Sequence, residues 1–142
     1  MVAGQQKVCN MNLNLNNKKV LITGASRGIG LAIAENFLQE GAKSCLVSRG
    51  SDMLFDNEAR LQHMYGLKNI IAYKCDCTDL ESLRLLKDEV EIKWGDLDVI
   101  VINVGDGRSA SDALPTDKQW RVTWDSNFES ALQTARAFLP ML

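Results

Sequence analysis

The sequence predicts an α/β domain: a doubly wound parallel sheet with helices on both faces. Three observations carry this. Short apolar runs alternate four times with segments of helical apolar spacing, beginning at Lys19. The first run, Val20-Leu21-Ile22, is apolar without alternation, as a strand buried on both faces must be. A glycine-rich stretch, Thr23-Gly24-Ala25-Ser26-Arg27-Gly28-Ile29-Gly30, joins that run directly to the next helical segment. Strands that alternate with helices pair in parallel through right-handed crossovers, and the expected strand order is 3-2-1-4.

Each element has its own signal. The first strand spans residues 19–23. A helix over residues 28–40 sets Ile29, Ile33 and Phe37 on one stripe and stops at Gly41, a residue suited to closing a helix in the left-handed conformation. Residues 44–48 form the second strand. Ser51 is placed to cap a helix carrying Leu54, Leu61 and Tyr65, which ends at Gly66. Residues 69–75, rich in Ile, form the third strand. Thr78-Asp79-Leu80-Glu81 has the form of a capping box and opens a helix with Leu83, Leu86, Val90 and Trp94 on one face, ended by Gly95. Residues 98–102 form the fourth strand, and 103–116 a polar loop. A last helix over residues 120–139 spaces Trp124, Phe128, Leu132, Ala135 and Leu139 for a buried stripe. Residues 1–17, rich in Asn and Gln and without sustained period, read as a flexible lead-in to a domain over 18–142.

Composition narrows the function. A chain of 142 residues with 46% apolar residues holds one domain with a real core. A net charge of −2 argues against nucleic acid as a partner. No apolar run approaches the roughly 20 residues that cross a bilayer, and no leader pattern precedes the first strand, so a soluble, cytoplasmic protein is expected. The cysteines, Cys9, Cys45, Cys75 and Cys77, form no CxxC pair and accompany a single histidine, His63. Reduced, mostly buried thiols are expected, with no metal site and with His63 on a helix surface.

The chemistry lies in the glycine-rich stretch. A strand, a tight turn and a helix in that order turn backbone N–H groups and the positive helix end onto one anion. No Lys-Ser/Thr follows the last glycine, which excludes a triphosphate-type loop, and a dinucleotide is the expected ligand. Cofactor choice is read at the end of the second strand. An acidic residue there would hydrogen-bond a ribose 2′-OH and favour NAD. This chain has Ser48-Arg49 instead, with Arg27 in the turn. Two guanidinium groups suit a 2′-phosphate, so NADP is expected over NAD.

Thr23-Gly24-x-x-x-Gly28-x-Gly30 resembles the cofactor motif of the short-chain dehydrogenase/reductase family. Three further stretches match that family in order. Asp76-Cys77-Thr78-Asp79 resembles the acidic element after the third strand, whose first acid contacts adenine. Asn103-Val104-Gly105 resembles the Asn-Asn-Ala-Gly element after the fourth. Asn127, within Trp124-Asp125-Ser126-Asn127-Phe128, matches a helix asparagine that helps hold a water near the catalytic lysine. The resemblance implies a Rossmann-type fold and NADP-linked hydride transfer to a carbonyl or from a secondary alcohol. Its cofactor-binding residues here would be Gly24, Ser26, Arg27, Gly28, Ile29, Gly30, Arg49, Asp76, Cys77, Asn103, Val104 and Gly105. Asn127 would support catalysis. Ile102 and Val104 depart from the family pattern, and the loop at 105–109 is unusual for it.

In this family a tyrosine gives the proton, a lysine four residues on lowers its pKa, and a serine orients the substrate oxygen. Tyr65 is followed four residues later by Asn69 and Tyr73 by Cys77, so the Tyr-x-x-x-Lys pair does not occur in these 142 residues. The expectation is an N-terminal portion, stopping before a fifth strand, of an enzyme that is a homo-oligomer at full length. The alternative is a non-catalytic NADP(H)-binding sensor or regulatory module.

Overall fold

The computed structural model describes residues 13–105 and 113–142. Cys9 and the centre of the loop after the fourth strand lie outside the described residues. The chain runs β1 (Lys19–Thr23), α1 (Gly28–Gln39), β2 (Lys43–Ser48), α2 (Asp52–Tyr65), β3 (Ile70–Lys74), α3 (Leu80–Trp94) and β4 (Val99–Val101). It continues through α4 (Asp117–Trp124), a π-helical turn (Asp125–Glu129), α5 (Ser130–Phe138) and a 3₁₀ turn (Leu139–Met141). The sheet has the order β3-β2-β1-β4, with every pair parallel. This is the Rossmann-type arrangement expected of alternating strands and helices.

Two apolar layers hold it, and the alternation of side chains along β1 divides them. Val20 and Ile22 join Leu46 and Ile70 against Ala34 and Leu38 of α1 and Leu54 and Leu61 of α2. Leu21 joins Cys45, Val47 and Ile71 on the opposite face, against Leu83, Leu86 and Val90 of α3 and Phe138 of α5. Helices therefore cover both faces. The far end of β1 is pinned to β4 by charge. Lys18 Nζ lies 2.7 Å from Asp98 Oδ1, the Lys19 amide donates to Asp98 Oδ2 at 2.9 Å, and Lys19 Nζ pairs with Asp96.

Several expectations are corrected by the packing. The end of the expected lead-in is ordered on the domain: Lys18 N donates to Leu15 O at 3.0 Å across a turn at Asn16 and Asn17, Asn17 N donates to Gly41 O at 2.8 Å, and Leu15 packs on the core. The buried stripe of α1 is Gly30, Ala34 and Leu38, while Ile33 and Phe37 are half-buried and Ile29 is 74% exposed. Small residues let α1 lie close to the sheet, so the large apolar ones flank the contact. Ser51 does not cap α2, since its hydroxyl donates to Asp52 Oδ1. The cap of α3 is Asp79, one residue beyond Thr78, and it accepts from the Ser82 amide at 3.0 Å. Those bonds to the Ser82 hydroxyl and amide hold the Asp79 carboxyl below the usual carboxylate range. β4 is two residues shorter than the expected strand.

The last helix differs most. It begins at Asp117, behind a capping box between Thr116 and Gln119. Trp124 and Phe128, expected inside, are about half exposed and lean on each other, with ring centroids 4.5 Å apart. Leu139 is also exposed, and the inward face is Ser130, Thr134, Phe138 and Met141. The Ser130 and Thr134 hydroxyls donate to the carbonyls of Ser126 and Ser130, four residues back, at 2.8 and 2.7 Å. Each buried hydroxyl is thus satisfied within its own helix. A helix face closed by hydroxyls leaves no trace in apolar periodicity.

Candidate functional site

At the carboxyl ends of β1, β2 and β4 the backbone makes a corner. Gly24 and Gly28 have φ of +67° and +59°, a left-handed conformation that residues with a Cβ adopt only at a cost. The turn between them is bound on every side. The Ala25 amide donates to Val47 O at 3.0 Å, the Ser26 carbonyl accepts from Asn57 Nδ2 at 3.1 Å, and the Ser26 and Ser48 hydroxyls are 3.0 Å apart. Gly30 permits the approach of α1, because a Cβ there would lie 2.4 Å from the Gly24 carbonyl oxygen.

Thr23 joins this turn to β4. It is fully buried, and its hydroxyl oxygen accepts from the amides of Asn103 and Val104 at 2.9 and 3.2 Å. The Asn103 side chain in turn donates to Gly24 O at 3.4 Å. Asn103-Val104-Gly105 is therefore laid alongside the glycine turn.

Between these segments lies a cleft of about 350 Å³ lined by Gly24, Ser26, Arg27, Gly28, Ile29, Ser48, Arg49, Asn103, Val104 and Gly105. Ile29 is exposed because it faces this cleft instead of the core. A second recess of about 360 Å³, between Ser26 and Gly50–Met53 at the start of α2, adjoins it at Ser26. Arg27 and Arg49 are both exposed at the cleft, the only cationic side chains among its described lining residues.

The remaining expected site residues stand apart from the cleft lining. Gly30 is buried behind the turn. Asp76 folds back on its own loop, where Oδ1 accepts from the Thr78 amide and hydroxyl at 2.9 and 2.7 Å. Cys77 is buried beside Cys75 in the core layer, which leaves only its backbone to meet a ligand. The hydrogen bond between the two thiols, helped by burial, pushes Cys75 up; the same bond draws Cys77 down, with Arg49 contributing. On β2, burial pushes the Cys45 thiol up. Asn127, in the π-helical turn, donates to Thr123 O at 2.9 Å, and its Oδ1 would lie 3.0 Å from a Cβ on Gly105. It thus borders the far lip of the cleft. Among the described residues no His, Cys, Asp and Glu cluster has metal-holding geometry, and no helix is long and apolar enough to cross a membrane.

Two residues of this corner were not among the expected site residues. Thr23 carries a usable signal, a polar residue ending a fully buried apolar strand. Asn57 carries none, because one amide on an ordinary amphipathic helix has no distinguishing pattern.

The corner suits the pyrophosphate of a dinucleotide. The cradle around Gly28 is open, with nothing within 4 Å of the position its Cβ would take. The positive end of α1 and two guanidinium groups adjoin it.

Comparison with known proteins agrees with this geometry. The chain is 32% identical over 132 residues to an uncharacterized oxidoreductase of Bacillus subtilis, covering 93% of this chain and 49% of that protein. It is 35% identical over 130 residues to a benzil reductase ((S)-benzoin forming) of Saccharomyces cerevisiae, covering 88% and 49%. The structure of L-sorbose reductase from Gluconobacter frateurii, complexed with NADPH and L-sorbose, superposes with a TM-score of 0.84 at 32% identity, covering 92% of this chain and 49% of that one. The chain spans about half the length of the curated relatives it matches. The family model for the short chain dehydrogenases matches residues 18–142. With a glycine corner, a 3-2-1-4 parallel sheet and that match in agreement, this chain belongs to the short-chain dehydrogenase family of oxidoreductases.

Proposed function

We propose that this chain binds NADP(H) in the cleft at the glycine corner, as the nucleotide-binding part of an oxidoreductase that interconverts a carbonyl and a secondary alcohol. The observation that carries the cofactor choice is the pairing of Arg27 and Arg49 on one cleft, with Ser48 where a carboxylate would select NAD. A guanidinium binds a 2′-phosphate by charge-assisted hydrogen bonds and gains no comparable partner from a hydroxyl. Among the similar proteins, L-sorbose reductase was crystallised with NADPH, and an alcohol dehydrogenase of Thermococcus sibiricus with 5-hydroxy-NADP. A bovine 15-hydroxyprostaglandin dehydrogenase, 32% identical, is named for NAD(+). The family alone therefore leaves the choice open, and the two arginines support NADP.

When bound, the cofactor would supply or accept hydride. This chain's residues would do the holding. The turn amides and the end of α1 take the pyrophosphate, Arg27 and Arg49 take the 2′-phosphate, and Asp76 stands after β3 for the adenine side. Asn103 to Gly105 form the wall toward the nicotinamide, with Asn127 at its edge. We assign cofactor binding to these 142 residues, whose corner supplies the holding groups. A second reading is a module that senses NADP(H) without chemistry. It predicts a cofactor-linked change in conformation or partner binding where the first predicts none.

Titration calorimetry with NADPH and NADH tests the cofactor choice. NADPH is expected to bind more tightly. Arg49→Ala should cost about 1–2 kcal/mol, roughly 5- to 30-fold in Kd, for NADPH while leaving NADH nearly unchanged. Tighter NADH binding by the parent chain would reject the proposal.

A further inference from the structure

Asn57 lies outside the cleft, on the second turn of α2, yet among the described residues it is the one α2 side chain hydrogen-bonded to the glycine turn. Its Nδ2 donates to Ser26 O at 3.1 Å and to Met53 O, one turn back in its own helix, at 2.9 Å. Its Oδ1 is held in turn by Arg60, whose Nε and Nη2 donate to it at 3.1 and 3.0 Å. Arg60 is anchored by an ion pair with Glu35 of α1, Nη2 to Oε1 at 2.5 Å. A continuous chain of contacts thus runs from α1 through α2 to the backbone of the turn that α1 follows.

The consequence is set by the planarity of the peptide bond. In a trans peptide the carbonyl oxygen and the following N–H point in opposite directions. With the Ser26 carbonyl drawn toward α2 by Asn57, the amide N–H of Arg27 is turned away from α2. From the other side the Ser48 hydroxyl fixes the Ser26 side chain. The Ser26–Arg27 peptide is therefore clamped in one orientation before any ligand arrives, and the Arg27 side chain leaves the backbone from that fixed plane.

We infer that Asn57 is a positioning residue for cofactor binding: it clamps the Ser26–Arg27 peptide and so presets Arg27 in the glycine corner. The inference rests on the reading that this corner binds NADP(H). A preset donor loses less freedom on binding than one that must be ordered by the ligand. Arg60 and Glu35 serve the clamp indirectly, by keeping the Asn57 amide in the rotamer that faces Ser26.

The test compares Asn57→Ala with Asn36→Ala. Asn36 on α1 makes the same kind of bond, Nδ2 to the Ala32 carbonyl at 2.8 Å, with no tie to the turn. It controls for the loss of an asparagine from a helix surface. Two readouts are taken on the full 142-residue chain. Hydrogen exchange without ligand is expected to quicken at residues 25–28 in Asn57→Ala only, with the amides of β1 and β2 unaffected. NADPH binding by calorimetry is expected to weaken roughly 3- to 10-fold in Asn57→Ala, the fold-change that follows from losing one ordinary hydrogen bond, and to be unchanged in Asn36→Ala. Arg60→Met, which frees the Asn57 amide without removing it, should fall between. Unaltered exchange at 25–28 in Asn57→Ala, or equal weakening by both asparagine variants, overturns the inference. If the parent chain itself fails to bind NADPH, the proposed function falls, and the exchange comparison still decides whether the clamp exists.

Discussion

Adding one methyl group at Gly30 tests how closely the first helix must approach the turn before it. The Cβ of Gly30→Ala would stand 2.4 Å from the Gly24 carbonyl oxygen and 2.6 Å from Asn103 Nδ2. The Asn103 amide can swing aside only by giving up its bond to Gly24 O. The Gly24 carbonyl cannot, because it is backbone held between β1 and the turn. Carbon–oxygen contacts settle at about 3.3 Å, so α1 has to withdraw by roughly 1 Å at its start. That would open the layer in which Ala34 and Leu38 pack. Overpacking of this kind costs up to about 3 kcal/mol. Alanine recovers about 1 kcal/mol of helix propensity over glycine, which leaves a net loss of about 2 kcal/mol. At about 4 °C per kcal/mol for a chain of this size, the melting midpoint should fall by about 8 °C. Gly50→Ala is the control, since nothing lies within 4 Å of its Cβ position and its φ is not left-handed. Circular dichroism melts of the three proteins, followed by NADPH titration, make the comparison. A Gly30→Ala protein that melts within 2 °C of the parent, or that binds NADPH as well, refutes the close approach of α1 that the corner depends on.

Two other perturbations address the corner and its far end. Thr23→Val keeps shape but removes the acceptor for the Asn103 and Val104 amides; it should cost about 2–3 kcal/mol in urea denaturation, while Thr23→Ser retains most of the stability. Equal midpoints for the two variants would show that the hydroxyl holds nothing. Asp98 takes its hydrogen bonds from Lys18 Nζ and the Lys19 amide, and these hold its carboxyl below the usual carboxylate range. A depressed folded-state pKa means the contribution is present above the unfolded value, about 3.9, and is lost as pH falls through the folded value. Asp98→Ala should therefore destabilise at pH 7, and the gap from the parent should close in acid below pH 4. A gap that widens on acidification contradicts that linkage.

Sequence periodicity made the sheet legible because the strands of a doubly wound sheet are buried on both faces, and runs such as Val20-Leu21-Ile22 have no other use. Glycine positions at Gly41, Gly66 and Gly95 were legible for a similarly local reason, since each closes a helix at positive φ. What could not be read were faces set by small or hydroxyl residues. α1 turns Gly30 and Ala34 inward, and α5 turns Ser130 and Thr134 inward, so large apolar residues at exposed positions nearby, Ile29 in the one case and Trp124 and Phe128 in the other, misdirect the assignment. At the site, the stretches that line the cleft are contiguous motifs, each visible on its own. The ties between them, Thr23 to Asn103 and Asn57 to Ser26, join separate parts of the chain and leave no local pattern.

The strand that carries the glycine corner also fixes the order in which the corner can be built. Its tie to β2, through Ser26 and Ser48, closes a loop of 22 residues, whereas its tie to β4, through Thr23 and Asn103, closes one of 80. The longer closure costs about 1 kcal/mol more in chain entropy. On an emerging polypeptide it also has to wait until residue 103 has been made. The half of the cleft formed by the glycine turn and the end of β2 can assemble early, while the wall formed by Asn103 to Gly105 arrives last. On the proposed reading, a nucleotide that meets the young chain would find a handle before it finds a pocket, and its binding energy would be available to draw β4 into the sheet.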